Sequence, residues 1–520
     1  MTPSRPRAGA LLPTALAVVL ATAGCGGGGG GGGGGSSTTD AKGADASASA
    51  QAPPRWSACA APTDAQGGDG KAPGKEWECA KLAVPLDYAK PGGKKIDLAL
   101  IRVKARDQNH RIGSLVFNFG GPGGSGVTTL PGLAASYEKL RERYDLVSFD
   151  PRGVGASAGV KCQSDQELDA AAQIDATPDD DAELRTTLAA NKAYVDACAK
   201  NSAELLPHVG TVNAARDMDR LRAALGDDKL HYFGISYGTE LGGVYAHLFP
   251  KNVGRAVLDA VVDPTQDPLQ GSLGQTKGFQ LALDDYLKDC AARTPQAGCV
   301  SQDRITTLLK DLDANPLPTS QQGRKLTQDE AVNGIASALY SKETWRYLTS
   351  GLREATTKGT GNTLLVLFDA LNGRNPDGHY SNLQAANRAI SCVDAEQRYT
   401  VDDVKKYLPR FRSASPVFGE GAAWSLLGCT GWPVKGGWKT PDVSAHGSAP
   451  IVVVGNTGDP ATPYAGAQQM ARQLGKGVGV EVTYKGEGHG AYNSGNPCMV
   501  DAVNGYLLEG KVPSEGTTCS

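Results

Sequence analysis

Seven short apolar runs constrain this chain more than any other feature. They are IDLALIRVK (96–104), SLVFNF (114–119), YDLVSFD (144–150), KLHYFGI (229–235), GRAVLDAV (254–261), APIVVVGN (449–456) and VGVEVTYKG (478–486). The first alternates like a half-buried strand. The others are compact runs of strand length, separated by stretches with helical spacing such as AARDMDRLRAALG (214–226), which stops at Gly226. Apolar strands alternating with helices predict an α/β chain with a mostly parallel sheet covered on both faces. The rhythm breaks near residue 264 and resumes only at VVVGN; between about 265 and 445 the text is helical and loop-like. Such an insertion reads as a lid over the C-terminal edge of the sheet, where open α/β sheets bind ligands.

The run KLHYFGI leads into Gly234-Ile235-Ser236-Tyr237-Gly238, and TELGGVYAHLF follows with helical character. G-x-S-x-G between a strand and a helix is the setting of a serine nucleophile elbow, and Ser236 is the candidate nucleophile. An alcohol needs a base, and the base needs an orienting acid, in the chain order Ser, acid, His. Of the seven histidines, His489 alone follows a late strand, in YKGEGHGAY. Asp459, in VVVGNTGDPATP, lies past the preceding strand and is the candidate acid; Asp263 is the runner-up. The oxyanion requires backbone N–H donors. Tyr237 and a residue of the loop FNFGGPGGSG (117–126) supply them in this reading. A phosphate loop is the rival for that stretch, but no GK[ST] follows it. Arg152, in SFDPRGVGAS (148–157), reads as a structural partner of an acid.

The N-terminus is an address. Arg5 and Arg7 precede the apolar run AGALLPTALAVVLATAG, which ends at Cys25 and has the parts of an export signal. The ending TAGC resembles a bacterial lipobox, in which the cysteine becomes the lipidated first residue; Thr22 departs from the usual leucine. Ten glycines and SSTTDAKGADASASAQAPP follow, too poor in large apolar residues to offset the entropy of ordering, and so a tether. Ten cysteines remain, an even number that favours disulfides in an exported chain. Sequence leaves connectivity open. Neighbour pairing, 59–79, 162–198, 290–299, 392–429 and 498–519, is the expected pattern. No C-x-x-C occurs and no metal site is expected. The acids of DATPDDDAEL (175–184) suit a helix N-terminus better than calcium. A net charge of -3 gives no basic excess for nucleic acid.

Taken together, GGPGGSG, DPRGVGAS, GISYGTELG, AISCVDAE, GCTGWP, TGDPATP and GEGHG resemble, in order, the secreted actinobacterial tripeptidyl aminopeptidases and their proline-iminopeptidase-like relatives. The resemblance spans about residues 55 to 519. It implies an α/β-hydrolase fold with a large, mainly helical lid inserted before the last strands, no cofactor, and peptide substrates cut from a free N-terminus. It implies a Ser236–Asp459–His489 triad, with Gly121 and Tyr237 as oxyanion donors and Gly120 as the alternative to Gly121. Phe119 stands where the family often has proline. Asp394 and Glu396, in SCVDAEQ, are candidates for the substrate's α-ammonium. The expected organisation is a lipoprotein signal (1–24), a tether (25–54), a first core part (55–264), the lid (265–445) and a C-terminal core part (446–520). The lipid anchor implies a body held at the outer face of the cell membrane. Two other readings stay open: an esterase or amidase with the same machinery, and a surface binding protein without turnover.

Overall fold

A computed structural model describes residues 52–293 and 298–520. Cys25, the leader and most of the tether lie outside the described residues.

The sheet has ten strands. They are β1 (Ser57–Ala58), β2 (Trp77–Pro85), β3 (Lys95–Val103), β4 (Gly113–Asn118), β5 (Tyr144–Phe149), β6 (Leu230–Ile235), β7 (Val253–Asp259), β10 (Ile451–Gly458), β11 (Gly479–Glu487) and β12 (Thr517–Cys519), with β8 (Leu317–Pro318) and β9 (Lys325–Leu326) forming a separate hairpin in the lid. Their spatial order is β1-β2-β3-β5-β4-β6-β7-β10-β11-β12. The first three strands run antiparallel, and from β5 onward every neighbour pair is parallel. Successive side chains of a strand point to opposite faces. Val116 and Val453 therefore enter the core on one face, while Leu115, Phe117, Val452 and Val454 enter the core on the other. Both faces are covered, which is why these strands read as continuous apolar runs.

Between β7 and β10 the described residues form helices and connecting loops apart from the β8–β9 hairpin. This lid has its own apolar core, including Phe279, Leu309, Ile335, Leu348 and Leu365. It also recruits a segment from between β5 and β6. Asp169, on the helix Asp165–Ala171, accepts from Arg374 Nε and Nη2 at 2.8 and 2.9 Å, and Leu184 and Leu188 pack under a further lid cluster. The sequence text assigns that segment to the first core part, because nothing local marks it as belonging elsewhere. Asp180 caps the helix Asp181–Ser202, accepting from the N–H groups of Ala182 and Glu183 at 2.7 and 2.9 Å. All five disulfides join neighbouring cysteines in the expected pattern: Cys59–Cys79, Cys162–Cys198, Cys290–Cys299, Cys392–Cys429 and Cys498–Cys519.

Candidate active site

Ser236 sits between β6 and the helix Tyr237–Leu248 with φ 59° and ψ -127°. A non-glycine residue in this region is strained, and such strain persists only where the surroundings impose it. Here they do. The Ser236 N–H donates to the carbonyl of Asp259 at the end of β7 (3.1 Å). Tyr232 Oη donates to the carbonyl of Gly238 (2.7 Å). A Cβ on Gly238 would lie 2.5 Å from the carbonyl oxygen of Asn118, so the elbow packs against β4 only with glycine there. Ser236 is 1% exposed.

Asp459 follows β10, and His489 follows β11. The Asp459 carboxylate is fixed by the N–H groups of Ala461 and Thr462, both 2.9 Å from Oδ1. His489 Nδ1 lies 2.8 Å from Oδ1 and 3.1 Å from Oδ2 of the same carboxylate. A carboxylate accepts, so Nδ1 carries the proton and Nε2 keeps its lone pair. Nε2 is buried and has no hydrogen-bond partner among the described residues. The side chains of His489 and Asp459 are 1% and 0% exposed. The lid reaches this pair directly. The Tyr340 carbonyl accepts the His489 N–H (2.8 Å), and the Tyr340 ring meets the imidazole edge-on at 5.2 Å. Asp263, the runner-up acid, instead accepts from the N–H and hydroxyl of Thr265 at 2.9 and 2.7 Å.

The loop after β4 lies against the elbow. A Cβ on Gly120, whose φ is 90°, would come within 2.7 Å of the Ile235 carbonyl oxygen and 2.8 Å of Ser236 Cβ. The Gly120 N–H donates to Asn118 Oδ1 (3.0 Å), which leaves Gly121 as the better placed donor of the two. Tyr237 opens its helix, where the first N–H groups have no partner within the helix. Phe119 is buried and stacks on Phe117 at 5.7 Å. Asp150, in the following loop, ties the region together. It accepts from Ser125 Oγ (2.6 Å), the N–H groups of Val127 (3.2 Å) and Ala156 (3.0 Å), and Gln66 Nε2 (3.0 Å). Lid residue Asn387 donates from Nδ2 to the Pro122 carbonyl (2.9 Å). Arg152 is buried against Asp217, with two contacts of 2.6 Å.

Asp394 and Glu396 part company. Asp394 is buried and accepts from the N–H (2.9 Å) and hydroxyl (2.6 Å) of Thr211, whose hydroxyl also meets Tyr237 Oη at 2.5 Å. Glu396 is exposed. A carboxyl that the sequence reading passed over, Glu240, stands close enough for the charge of Asp394 to act on it. Burial pushes Asp394 up to about 7, against the Thr211 bonds. Desolvation, and then the Asp394 charge, push Glu240 up to about 8. Neither forms a salt bridge among the described residues. Glu240 lay inside GISYGTELG, but a helical glutamate carries no mark of burial until the fold is known.

The family profile described as TAP-like protein matches residues 415–519. The chain is 40% identical over 461 residues to "Serine protease Hip1" of Mycobacterium tuberculosis, covering 85% of this chain and 87% of that protein. It is 33% identical over 480 residues to "Tripeptidyl aminopeptidase" of Streptomyces lividans, covering 89% and 86%. It is also 37% identical over 459 residues to "Carboxylesterase B" of Mycobacterium tuberculosis, covering 85% and 86%.

Proposed function

The chain belongs to the tripeptidyl aminopeptidase-like family of α/β-hydrolase serine hydrolases, and from that premise we propose that it is a serine exopeptidase releasing short peptides, tripeptides first among them, from free N-termini. In this reading His489 Nε2 takes the proton of Ser236 Oγ as the oxygen attacks the scissile carbonyl. Asp459 holds the tautomer that leaves Nε2 free and stabilises the imidazolium that forms. The N–H groups of Gly121 and Tyr237 receive the oxyanion. His489 then returns its proton to the leaving amine. Water, deprotonated by the same imidazole, resolves the acyl-enzyme.

The observation that carries the exopeptidase reading is the buried Asp394 carboxyl, joined through the Thr211 hydroxyl to Tyr237, the residue after the nucleophile, with Glu240 near enough for the two charges to oppose each other. Two neighbouring carboxyls without a cation do not both ionise readily. A substrate α-ammonium supplies the missing charge. Glu396, being exposed, has no part in this proposal. The leader and Cys25 extend the proposal to a lipid-anchored enzyme on the outer face of the membrane.

A fluorophosphonate probe should label the wild type and leave Ser236→Ala unlabelled; equal labelling of both would remove Ser236 as nucleophile. Products from a peptide library with free and acetylated N-termini, read by mass spectrometry, address the finer claim. Asp394→Asn should raise KM for free peptides while leaving acetylated ones unaffected. Likeness to a relative named as a carboxylesterase keeps an esterase as the second reading. Preference for simple esters over free peptides would favour it.

A further inference from the structure

Resting on the reading of Ser236 as nucleophile and His489 as base, we propose that Asp259 is a positioning residue that holds both in one register and lends its negative charge to the imidazolium formed during reaction. Asp259 is the last residue of β7 and is 1% exposed. Its two ends do different work. The backbone carbonyl accepts the Ser236 N–H at 3.1 Å. The carboxylate accepts the Ala491 N–H (2.9 Å to Oδ1, 3.1 Å to Oδ2) and the Tyr492 N–H (2.9 Å to Oδ2). Ala491 lies two residues beyond His489, so the imidazole is flanked by two anchors. One is Asp459 on Nδ1, and the other is Asp259 on the backbone that follows.

Nothing neutralises Asp259 by ion pairing among the described residues. Burial raises its carboxyl, the two N–H groups favour the charged form, and the charges of Asp459 and His489 both act on it. Tyr137, fully buried nearby, feels the Asp259 charge in turn. A carboxylate in a water-poor site, close to an imidazole without touching it, stabilises the imidazolium through space. A carboxylate that merely capped a turn would need no such proximity.

The experiment is Asp259→Asn in the full-length enzyme, assayed across pH on a chromogenic substrate and titrated with the fluorophosphonate probe. The isosteric amide accepts one N–H but sets its own NH2 against the other, and it carries no charge. We expect kcat/KM to fall about 10- to 100-fold. We also expect the acidic limb of the pH profile to move down by about one pH unit, because imidazolium loses a neighbouring charge. Asp259→Ala, which removes the carboxylate without adding a donor, should shift the limb the same way. An unmoved limb in a folded variant overturns the proposal, as does a wild-type rate. Failure of both variants to fold would also overturn it, by assigning Asp259 to folding alone. If the wild-type enzyme itself resists the probe, the underlying reading of Ser236 fails instead.

Discussion

The sheet half and the lid half of this molecule hold their polar groups in different ways. In the sheet half, turns next to strand ends fix Gly120 through Asn118 and Asp459 through Ala461 and Thr462, and neighbouring strand ends bring Ser236 to Asp259 and His489 to Asp459. In the lid half, contacts come from far along the chain. Arg324 joins Asp369 (2.7 Å), and Asn382 Nδ2 reaches the Gly153 carbonyl (2.9 Å). The two halves meet at the candidate site, where Asn387 holds the glycine-rich loop after β4 and Tyr340 holds His489. Reactive groups are thus placed by strand ends and their turns, and the space around them by the packing of lid helices and loops.

The sharpest test of that contrast removes one buried arginine from each half. Arg152 has no exposed side-chain surface. It donates to Asp217 twice and to the carbonyls of Leu86 (2.9 Å), His208 (3.1 Å) and Pro85 (3.0 Å). Arg152→Met leaves Asp217 buried without its cation, at a cost of about 3–5 kcal/mol. Total stability is of order 5–15 kcal/mol, so urea unfolding should move to much lower midpoints as a single transition. Arg324→Met takes one cation from Asp369 (2.7 Å) and from Glu330 (3.0 Å) within the lid. It should split the transition, with peptide hydrolysis lost before fluorophosphonate labelling. A single, equally shifted transition in both variants would break the contrast.

A smaller effect is expected where the halves touch. Asn387→Ala removes the lid's bond to the Pro122 carbonyl. The glycine-rich loop after β4, proposed to hold the oxyanion, then loses one restraint, and kcat should fall about 10- to 100-fold with KM little changed. Stability should drop by about 1 kcal/mol. A change in KM alone would mean that Asn387 serves the substrate pocket and not the loop.

The same contrast explains what could be read from the chain. The strands β4 to β7 and β10 announce themselves because burial on both faces leaves an unbroken apolar run, whereas β3 shows itself by alternation. The strand β2 does not: its residues WECAKLAVP mix polar and apolar, since half of it is only partly buried. Ser236, Asp459 and His489 were legible because each sits at a strand end in a short turn-rich motif, and the structure brings the last two into direct contact. Asp259 was hidden inside GRAVLDAV, where an acid ending an apolar strand looks like a boundary. Asp263, four residues later, has the turn setting expected of a catalytic acid, but its carboxylate bonds to Thr265. Tyr340 and Glu240 gave no signal, because their roles depend on which distant segment packs against them.

The smallest effect concerns pH. Glu240 is raised to about 8 and Asp394 to about 7, from ordinary values of 4.5 and 3.8. Between the ordinary and raised values the unfolded chain has released protons that the folded protein retains. Stability from these groups is therefore complete below about pH 4 and declines as pH rises toward 8. Glu240→Gln removes one titration and should flatten the fall in Tm between pH 5 and 8 by a few degrees, as calorimetry would show. The lid side of the pair should respond alike in Asp394→Asn, although loss of one of the two Thr211 bonds lowers the whole curve. A non-hydrolysed peptide with a free amine should offset the decline in wild type, because its ammonium favours the ionised pair. An acetylated analogue should not. Parallel curves for wild type and Glu240→Gln would mean that the two carboxyls are solvated, and would remove the electrostatic basis for placing the substrate amine between them.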